Sequence, residues 1–337
     1  MKKRIHIVII IITWISYSSC EKLFFEAEPA NNPEAIFESF WQSFDENYAP
    51  FEEHNADWDA TYSIYRPMVM QTTSDHELFE IFKLMIAPLN DGHTNIFAPG
   101  EESFNSNIYF EYKIDDSLFN LEIIKEFYLQ NDFETGIDDS YYYGMIDNLI
   151  YIHLPYVYDN FHIINTAIEE HSGADGMIID LRHNKGGDFT YAFSEMGRLT
   201  DQRRLIFSSK TKNGPAENEY TDWFDWYLEP KGEFYNKQIV VLTDRFTISA
   251  GERAVMAFMP LPNVISIGDT TNGAHSTMIG GELANGWTYT FPTQKVKLYD
   301  GNSYEGIGLA PDIYLQNEIS DIEMGIDKVL ETAIDQF

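Results

Sequence analysis

A serine, a histidine, a pair of glycines and a glutamate are the residues of this chain whose types and local settings could do chemistry. Ser249 stands in Val241-Leu-Thr-Asp-Arg-Phe-Thr-Ile-Ser-Ala-Gly-Glu252, where the apolar run Ile239 to Leu242 reads as a buried strand and Ala250 to Met259 has the composition of a helix. A serine at a strand-to-helix junction can expose its hydroxyl while the first free helical N–H groups point at whatever it attacks. The same position suits a plain helix N-cap, so Ser249 alone decides nothing. A serine hydroxyl is a weak nucleophile at neutral pH, and it needs a base within reach and donors for the developing oxyanion. His93, in the tight turn Asp91-Gly-His-Thr94, has the only side chain there with a pKa suited to general-base work. Asp180-Leu-Arg-His-Asn-Lys-Gly-Gly187 is a strand end running into paired glycines, which let a backbone N–H approach a ligand closely. Glu305, in Tyr304-Glu-Gly-Ile-Gly-Leu-Ala-Pro-Asp-Ile313, is either a functional acid or a solvated loop residue. His275 is a further base by geometry alone, with an exposed loop histidine as its ordinary explanation.

Composition narrows the chemistry. The chain has 337 residues, 44% hydrophobic and 15% aromatic, ample for a packed core of one large domain or two modest ones. Its formal charge of -32 argues against nucleic acid as a partner, because a polyanion is repelled. The 9 histidines include no His-Glu-x-x-His pair, so no catalytic metal and no other cofactor is expected.

The elements that must position these residues fall into two blocks. From Asn32 to Leu89 the pattern is helical: Pro33-Glu34 opens a helix bearing Ile36, Phe37, Phe40 and Trp41, and Ser74-Asp-His-Glu77 is a capping box before Leu78, Phe82, Met85 and Leu89. Residues 33–100 are therefore read as a small helical N-terminal region carrying the histidine motif. Residues 101–143, acidic and aromatic with weak alternation as in Asn107-Ile-Tyr-Phe-Glu-Tyr-Lys113, are a linking segment of short strands or an irregular hairpin. Residues 144–337 form an α/β core. Leu149 to Leu154, Gly176 to Leu181, Gln238 to Thr243 and Val264 to Gly268 are compact apolar runs, separated by stretches long enough for helices such as Asp159 to His171 and Tyr191 to Leu199. That alternation predicts a mixed or largely parallel sheet with flanking helices. The aromatic stretch Thr221 to Phe234 reads as a lid over a cleft or an ordinary packed surface.

Taken in order, Leu89-Asn-Asp-Gly-His-Thr94, Asp180-Leu-Arg-His-Asn-Lys-Gly-Gly187, Val241 to Glu252 and Glu305-Gly-Ile-Gly-Leu-Ala-Pro-Asp312 resemble the peptidase family that contains the tricorn core protease and the C-terminal processing proteases. The resemblance spans about residues 35 to 315 and implies a ClpP/crotonase-like fold. The processing proteases use a lysine base in a Gly-Lys-Gly turn, but Gly268-Asp-Thr-Thr-Asn-Gly273 is followed by Ala274, which takes no proton. The tricorn-like branch uses a histidine and a downstream glutamate, and its resemblance implies Ser249 as nucleophile, His93 as base and Glu305 as the acid behind it. It further implies an oxyanion hole from the N–H of Ala250 and one from Gly186 or Gly187. One departure is Gly92, where tricorn has a serine that links the histidine to the glutamate; Thr94, Asp91 or a water is left to complete that relay. Many relatives carry a PDZ domain before the core, and the roughly forty residues between Gly100 and Tyr143 are too few for one.

The N-terminus is a different material. Lys2, Lys3 and Arg4 precede an apolar run from Ile5 to Ile15, then Ser18, Ser19 and Cys20, a secretory signal too short and wrongly flanked for a spanning helix. Cys20 stands where a bacterial lipoprotein signal places its diacylated residue, although Tyr17 replaces the usual leucine of such motifs. Residues 1–19 are then a signal peptide and 20–32 a spacer. The expected protein is a lipid-anchored serine endopeptidase of the bacterial cell envelope acting on polypeptides through an acyl-enzyme on Ser249. Its rival is a catalytically inactive homologue kept for binding or scaffolding. A third reading, acyl-CoA chemistry by fold analogy, lacks a basic phosphate site in so acidic a chain.

Overall fold

The computed structural model describes residues 29–107, 115–216 and 218–337; the signal segment with Cys20 and most of 107–113 lie outside the described residues. The N-terminal layer opens with α1 (Pro33–Asn47), where the Asn32 side chain accepts the Ala35 N–H and Pro33 begins the helix. Next come α2 (Trp58–Tyr65) and α3 (Asp75–Ile86), the latter under the expected Ser74/Glu77 capping box, then strands β1 (Asn95–Phe97) and β2 (Phe104–Asn105). The α/β part runs β3 (Phe133–Thr135), β4 (Tyr142–Ile146), β5 (Leu149–His153), α4 (His162–Glu170), β6 (Gly176–Asp180), α5 (Phe189–Glu195), β7 (Arg204–Thr211) and β8 (Phe224–Leu228). It continues with β9 (Gln238–Thr243), α6 (Ala250–Phe258), β10 (Val264–Gly268), β11 (Met278–Glu282), β12 (Thr288–Pro292), β13 (Gln294–Leu298), β14 (Ile313–Tyr314), α7 (Ile319–Glu323) and α8 (Lys328–Ile334).

The seven-stranded sheet has the order β14-β10-β9-β6-β5-β4-β3, parallel from β14 to β5 and antiparallel at β4 and β3. It is the mixed sheet with flanking helices that the alternation predicts. Its central strands are apolar throughout because both faces are covered. In β9, Ile239 and Val241 join the core beneath α4, α5 and α6, while Val240 and Leu242 join a second core beneath α8. The C-terminal ends of β6 and β9 face the same way, the usual place for a site in such a sheet.

Three sequence expectations change. Strands β11 and β12, from far down the chain, pair with β1 and β2 in an antiparallel four-stranded sheet, order β11-β12-β1-β2. Leu283, Trp287, Tyr289 and Phe291 complete the core of α1 and α3, so residues 278–292 belong physically to the N-terminal layer and not to a self-contained 144–337 core. The 101–143 segment is no simple link, since it supplies β2 to one sheet and β3 to the other. Finally, of the two readings of the aromatic stretch 221–234 the packed surface is the one observed: β8 pairs with β7 in a three-stranded sheet, and Trp226 packs on Phe189 and Phe207. Among the described residues no helix is long and apolar enough to cross a membrane.

A buried ion network ties the two ends of the α/β part together. Arg182, just past β6, donates through Nη1 to both Asp327 oxygens (2.9 Å) and through Nη2 to Asp180 (2.6 Å). Asp327 also caps α8 by accepting the Leu330 N–H. Asp327→Ala leaves Arg182 its Asp180 partner but strips Nη1 of both its acceptors and α8 of its cap, so it is expected to cost about 1–3 kcal/mol, read as a lowered urea midpoint; an unchanged midpoint would remove this network from the account of stability.

Candidate active site

Ser249 sits where the turn after β9 enters α6, and its backbone is strained. Its φ of 60° and ψ of -121° contrast with the extended caps Asn32 (-147°, 157°) and Ser74 (-74°, 160°). A non-glycine residue held this way costs of order 1–3 kcal/mol and persists only where its surroundings over-determine it. Here the Ser249 N–H donates to Glu252 Oε2 (3.2 Å), and the Ile248 N–H donates to the Asn184 carbonyl (3.0 Å). Gly186 lies so close that a Cβ on it would stand 2.7 Å from the Ser249 Cβ. Ser249 is thus the N-cap of α6, in a reciprocal box with Glu252, but it caps from strained and not from relaxed dihedral angles.

His93 arrives from the other layer. Asn90 turns the chain after α3 with φ 47°, the His93 N–H donates to Asp91 Oδ1 (2.8 Å), and Thr290 on β12 donates to the His93 carbonyl (2.8 Å). The ring is buried, and burial lowers its pKa below the ordinary 6.5 despite the nearby charges of Asp91 and Glu252, so the imidazole is neutral and able to accept a proton. Ser249 and His93 line one cavity of about 650 Å³, together with Gly187, Ala250, Lys185 and Arg253. No hydrogen bond joins the Ser249 hydroxyl to the His93 ring among the described residues, and His93 Nδ1 is buried without a partner.

Of the two glycines expected to serve the oxyanion, Gly186 is excluded: its N–H is taken by Asn184 Oδ1 at 2.9 Å. Gly187 lines the cavity with φ 137°, and a Cβ there would stand 2.0 Å from the Val157 carbonyl oxygen, so only glycine fits. Its N–H and that of Ala250 take no acceptor among the described residues.

Glu305 is buried as the resemblance implies, yet it does not meet His93. It accepts the N–H groups of His275 (3.1 Å) and Ser276 (3.4 Å). Burial, with the charges of Asp91 and Glu252, pushes it well above the usual carboxylate range and favours its neutral form. His275 is no exposed loop residue: it is buried with Nε2 3.0 Å from Glu252 Oε1 and Nδ1 3.8 Å from Glu305 Oε2. Between Glu305 and the His93 segment stands Asp91, whose Oδ2 accepts the Tyr48 hydroxyl (2.9 Å) and lies 3.5 Å from His54 Nε2. His54, Asp91 and Glu305 offer ligand atoms within 4.8 Å of one another, a grouping that could hold a cation. The Asp91 and Glu305 oxygens already accept the donors just described, so a proton-bonded cluster accounts for them. Thr94 Oγ1 has no partner and plays no part in a relay.

Glu252 shows in the sequence only as the last residue of a Ser-x-x-Glu capping-box spacing, with nothing local to mark it as part of the site. It is fully buried and accepts from the Thr271 hydroxyl (2.5 Å) and the N–H groups of Gly273 (2.7 Å) and Ala274 (2.9 Å) besides that of Ser249. Burial opposes its charge, but His275 and these donors outweigh it and hold its pKa below the ordinary value. Arg253 and Tyr48 carried no local signal at all.

Position 92 is closely packed. A Cβ on Gly92 would stand 2.7 Å from Ile248 Cδ1 and 2.8 Å from Asn272 Oδ1. Gly92→Ser is thus expected to lower stability by about 1–3 kcal/mol through overpacking and to reduce, not improve, reactivity at Ser249, measured by thermal unfolding and by labelling with a serine-directed phosphonate; faster labelling at unchanged stability would refute this.

Comparison with known proteins bears on the family and the fold. Residues 148–315 match peptidase family S41, and residues 29–87 match the tricorn protease C1 domain. The carboxy-terminal processing protease CtpA of Bacillus subtilis (strain 168) is 30% identical over 43% of this chain, and the nisin-resistance protein of Lactococcus lactis subsp. lactis is 28% identical over 42%. These matches span 29% and 47% of those two relatives, under half the length of either. A crystal structure of a candidate peptidase from Parabacteroides merdae superposes with a TM-score of 0.81 at 28% identity, over 91% of this chain and 97% of that one. With both segments of the fold matched in order, the chain belongs to peptidase family S41.

Proposed function

We propose that the protein is a serine peptidase of the tricorn-like Ser/His type that cleaves polypeptides. The observation that carries this reading is the strained Ser249, held at the start of α6 and opening on one cavity with a buried, neutral His93. The Ser249 hydroxyl adds to the peptide carbonyl while its proton passes to the His93 imidazole. The N–H groups of Ala250 and Gly187 receive the oxyanion. Collapse of the tetrahedral adduct expels the amine with that proton and leaves an acyl-enzyme, which water hydrolyses with His93 again as base. The rival, a binding protein on a peptidase fold, draws its support from His93 Nδ1, which has no partner to orient it.

A fluorophosphonate should label wild-type protein and leave Ser249→Ala untouched. His93→Ala should slow labelling by about 10²–10⁴-fold; labelling of that variant at the wild-type rate would sink the assignment of the base. Because burial lowers the His93 pKa, the neutral base persists below pH 6.5, and the acid limb of the labelling rate should fall below that value.

The reading extends to location: export, and a lipid on Cys20 that holds the protein at the bacterial cell envelope. Cys20→Ser should move the protein from the membrane to the soluble fraction of the host; if the variant sediments with membranes as the wild type does, the anchor lies elsewhere.

A further inference from the structure

Arg253 is four residues past Ser249 on α6, and it is one of the largest fully buried side chains of the protein. Its guanidinium lies 4.3 Å from the Phe189 ring centre and 4.7 Å from that of Phe207. Nε donates to the His275 carbonyl (2.9 Å), and Nη2 donates to Gln294 Oε1 (2.9 Å) and Thr277 Oγ1 (3.4 Å). All of these acceptors are uncharged. Nη1 has no hydrogen-bond partner, and no carboxylate stands within ion-pair distance of the group among the described residues. A buried guanidinium normally has a carboxylate partner, because desolvating an unpaired ion is costly. Burial accordingly lowers its pKa to about 10, and Glu305 and Glu252 offset this only from a distance.

The same residue lines the catalytic cavity, and the charge there runs against the rest of the protein. In a chain of net charge -32, the cavity wall carries two cations, Arg253 and the exposed Lys185, against one carboxylate, Asp188. That carboxylate is committed to capping α5, through the Thr190 N–H (3.0 Å) and hydroxyl (2.6 Å). Lys185 has no ion pair among the described residues and takes part only through its backbone N–H, donated to the Pro155 carbonyl. Two cations without counter-ions beside the nucleophile make a site for an anion, and arginine is suited to a planar carboxylate.

We propose that the cavity recognises a carboxylate of the bound peptide, with Arg253 and Lys185 as its counter-charges and specificity-determining residues. The inference rests on the peptidase reading only in taking its ligand to be a polypeptide. The carboxylate belongs either to an acidic side chain near the scissile bond or to the chain terminus, and the two sources separate by experiment.

The test measures binding, not turnover, on the Ser249→Ala protein. Six-residue alanine peptides carry one Glu moved through each position, with Gln counterparts, each as free acid and as C-terminal amide. At its best position a carboxylate should improve affinity on the order of tenfold over its amide. Loss on Glu→Gln assigns the side chain, and loss on terminal amidation assigns the chain end. Lys185→Gln, at an exposed position, should weaken the preference by roughly threefold without disturbing the fold, and Arg253→Gln should abolish it. Equal affinities for acid and amide throughout, or a preference that survives both substitutions, overturn the proposal. Since no catalysis is required, a carboxylate preference with an unreactive Ser249 would sink the peptidase reading alone, and a reactive Ser249 without the preference would sink this one alone.

Discussion

The site depends on one buried carboxylate. Glu252 has no access to water, so its charge survives only because donors surround it, the Ser249, Gly273 and Ala274 N–H groups and the Thr271 hydroxyl, with the His275 ring nitrogen 3.0 Å away. Those donors come from two places, the strained entrance to α6 and the loop 271–275 that follows β10. A single ion therefore fixes the nucleophile's backbone and the loop beside it as a unit. The strain at Ser249 is sustained because relaxing it would strip Glu252 of a donor in a place where no water can replace it.

Around that ion the protein assembles its chemistry from two layers. Ser249, Gly187 and Ala250 ride on the C-terminal ends of parallel strands. His93 rides on a small antiparallel sheet whose second half, β11 and β12, comes from the far side of the nucleophile in sequence. The strand pairing of β1 with β12 and the Thr290 bond to the His93 carbonyl hold the base against the core. Gly92 lies at the seam between the layers. A Cβ on Gly92 would press on the side-chain ends of Ile248 and Asn272 and on Ala274, so a larger residue there requires those side chains to shift. With glycine at position 92, it is Asp91, held by Tyr48, that fixes the histidine through its backbone N–H.

Much of this was legible in the sequence for physical reasons. Helix caps such as Ser74 with Glu77 and Asn32 with Pro33 are local hydrogen bonds, and strand and helix periodicities are local geometry, so both are written in neighbouring residues. The strand–serine–helix junction and the Ala274 position were equally readable. The fate of His275 was not: its environment is made by Glu252 and Glu305, and nothing within its own loop marks it as buried. Arg253 is a charged residue on a helix, which a linear pattern assigns to solvent, whereas tertiary packing encloses it.

The sequence by itself determined the α/β core, the order of its elements, the helical start, the family and the candidate residues, because each of these follows from local pattern or ordered motifs. Only the tertiary structure decided which candidates can act. Gly187 is available and Gly186 is not, because Asn184 claims one N–H. Glu305 is a neutral, buried acid behind His275, and no hydrogen bond ties it to His93, because burial and two neighbouring carboxylates set its proton affinity. Competition for donors and the pKa of a buried group are sums over everything that surrounds an atom, and those surroundings are gathered from residues far apart along the chain.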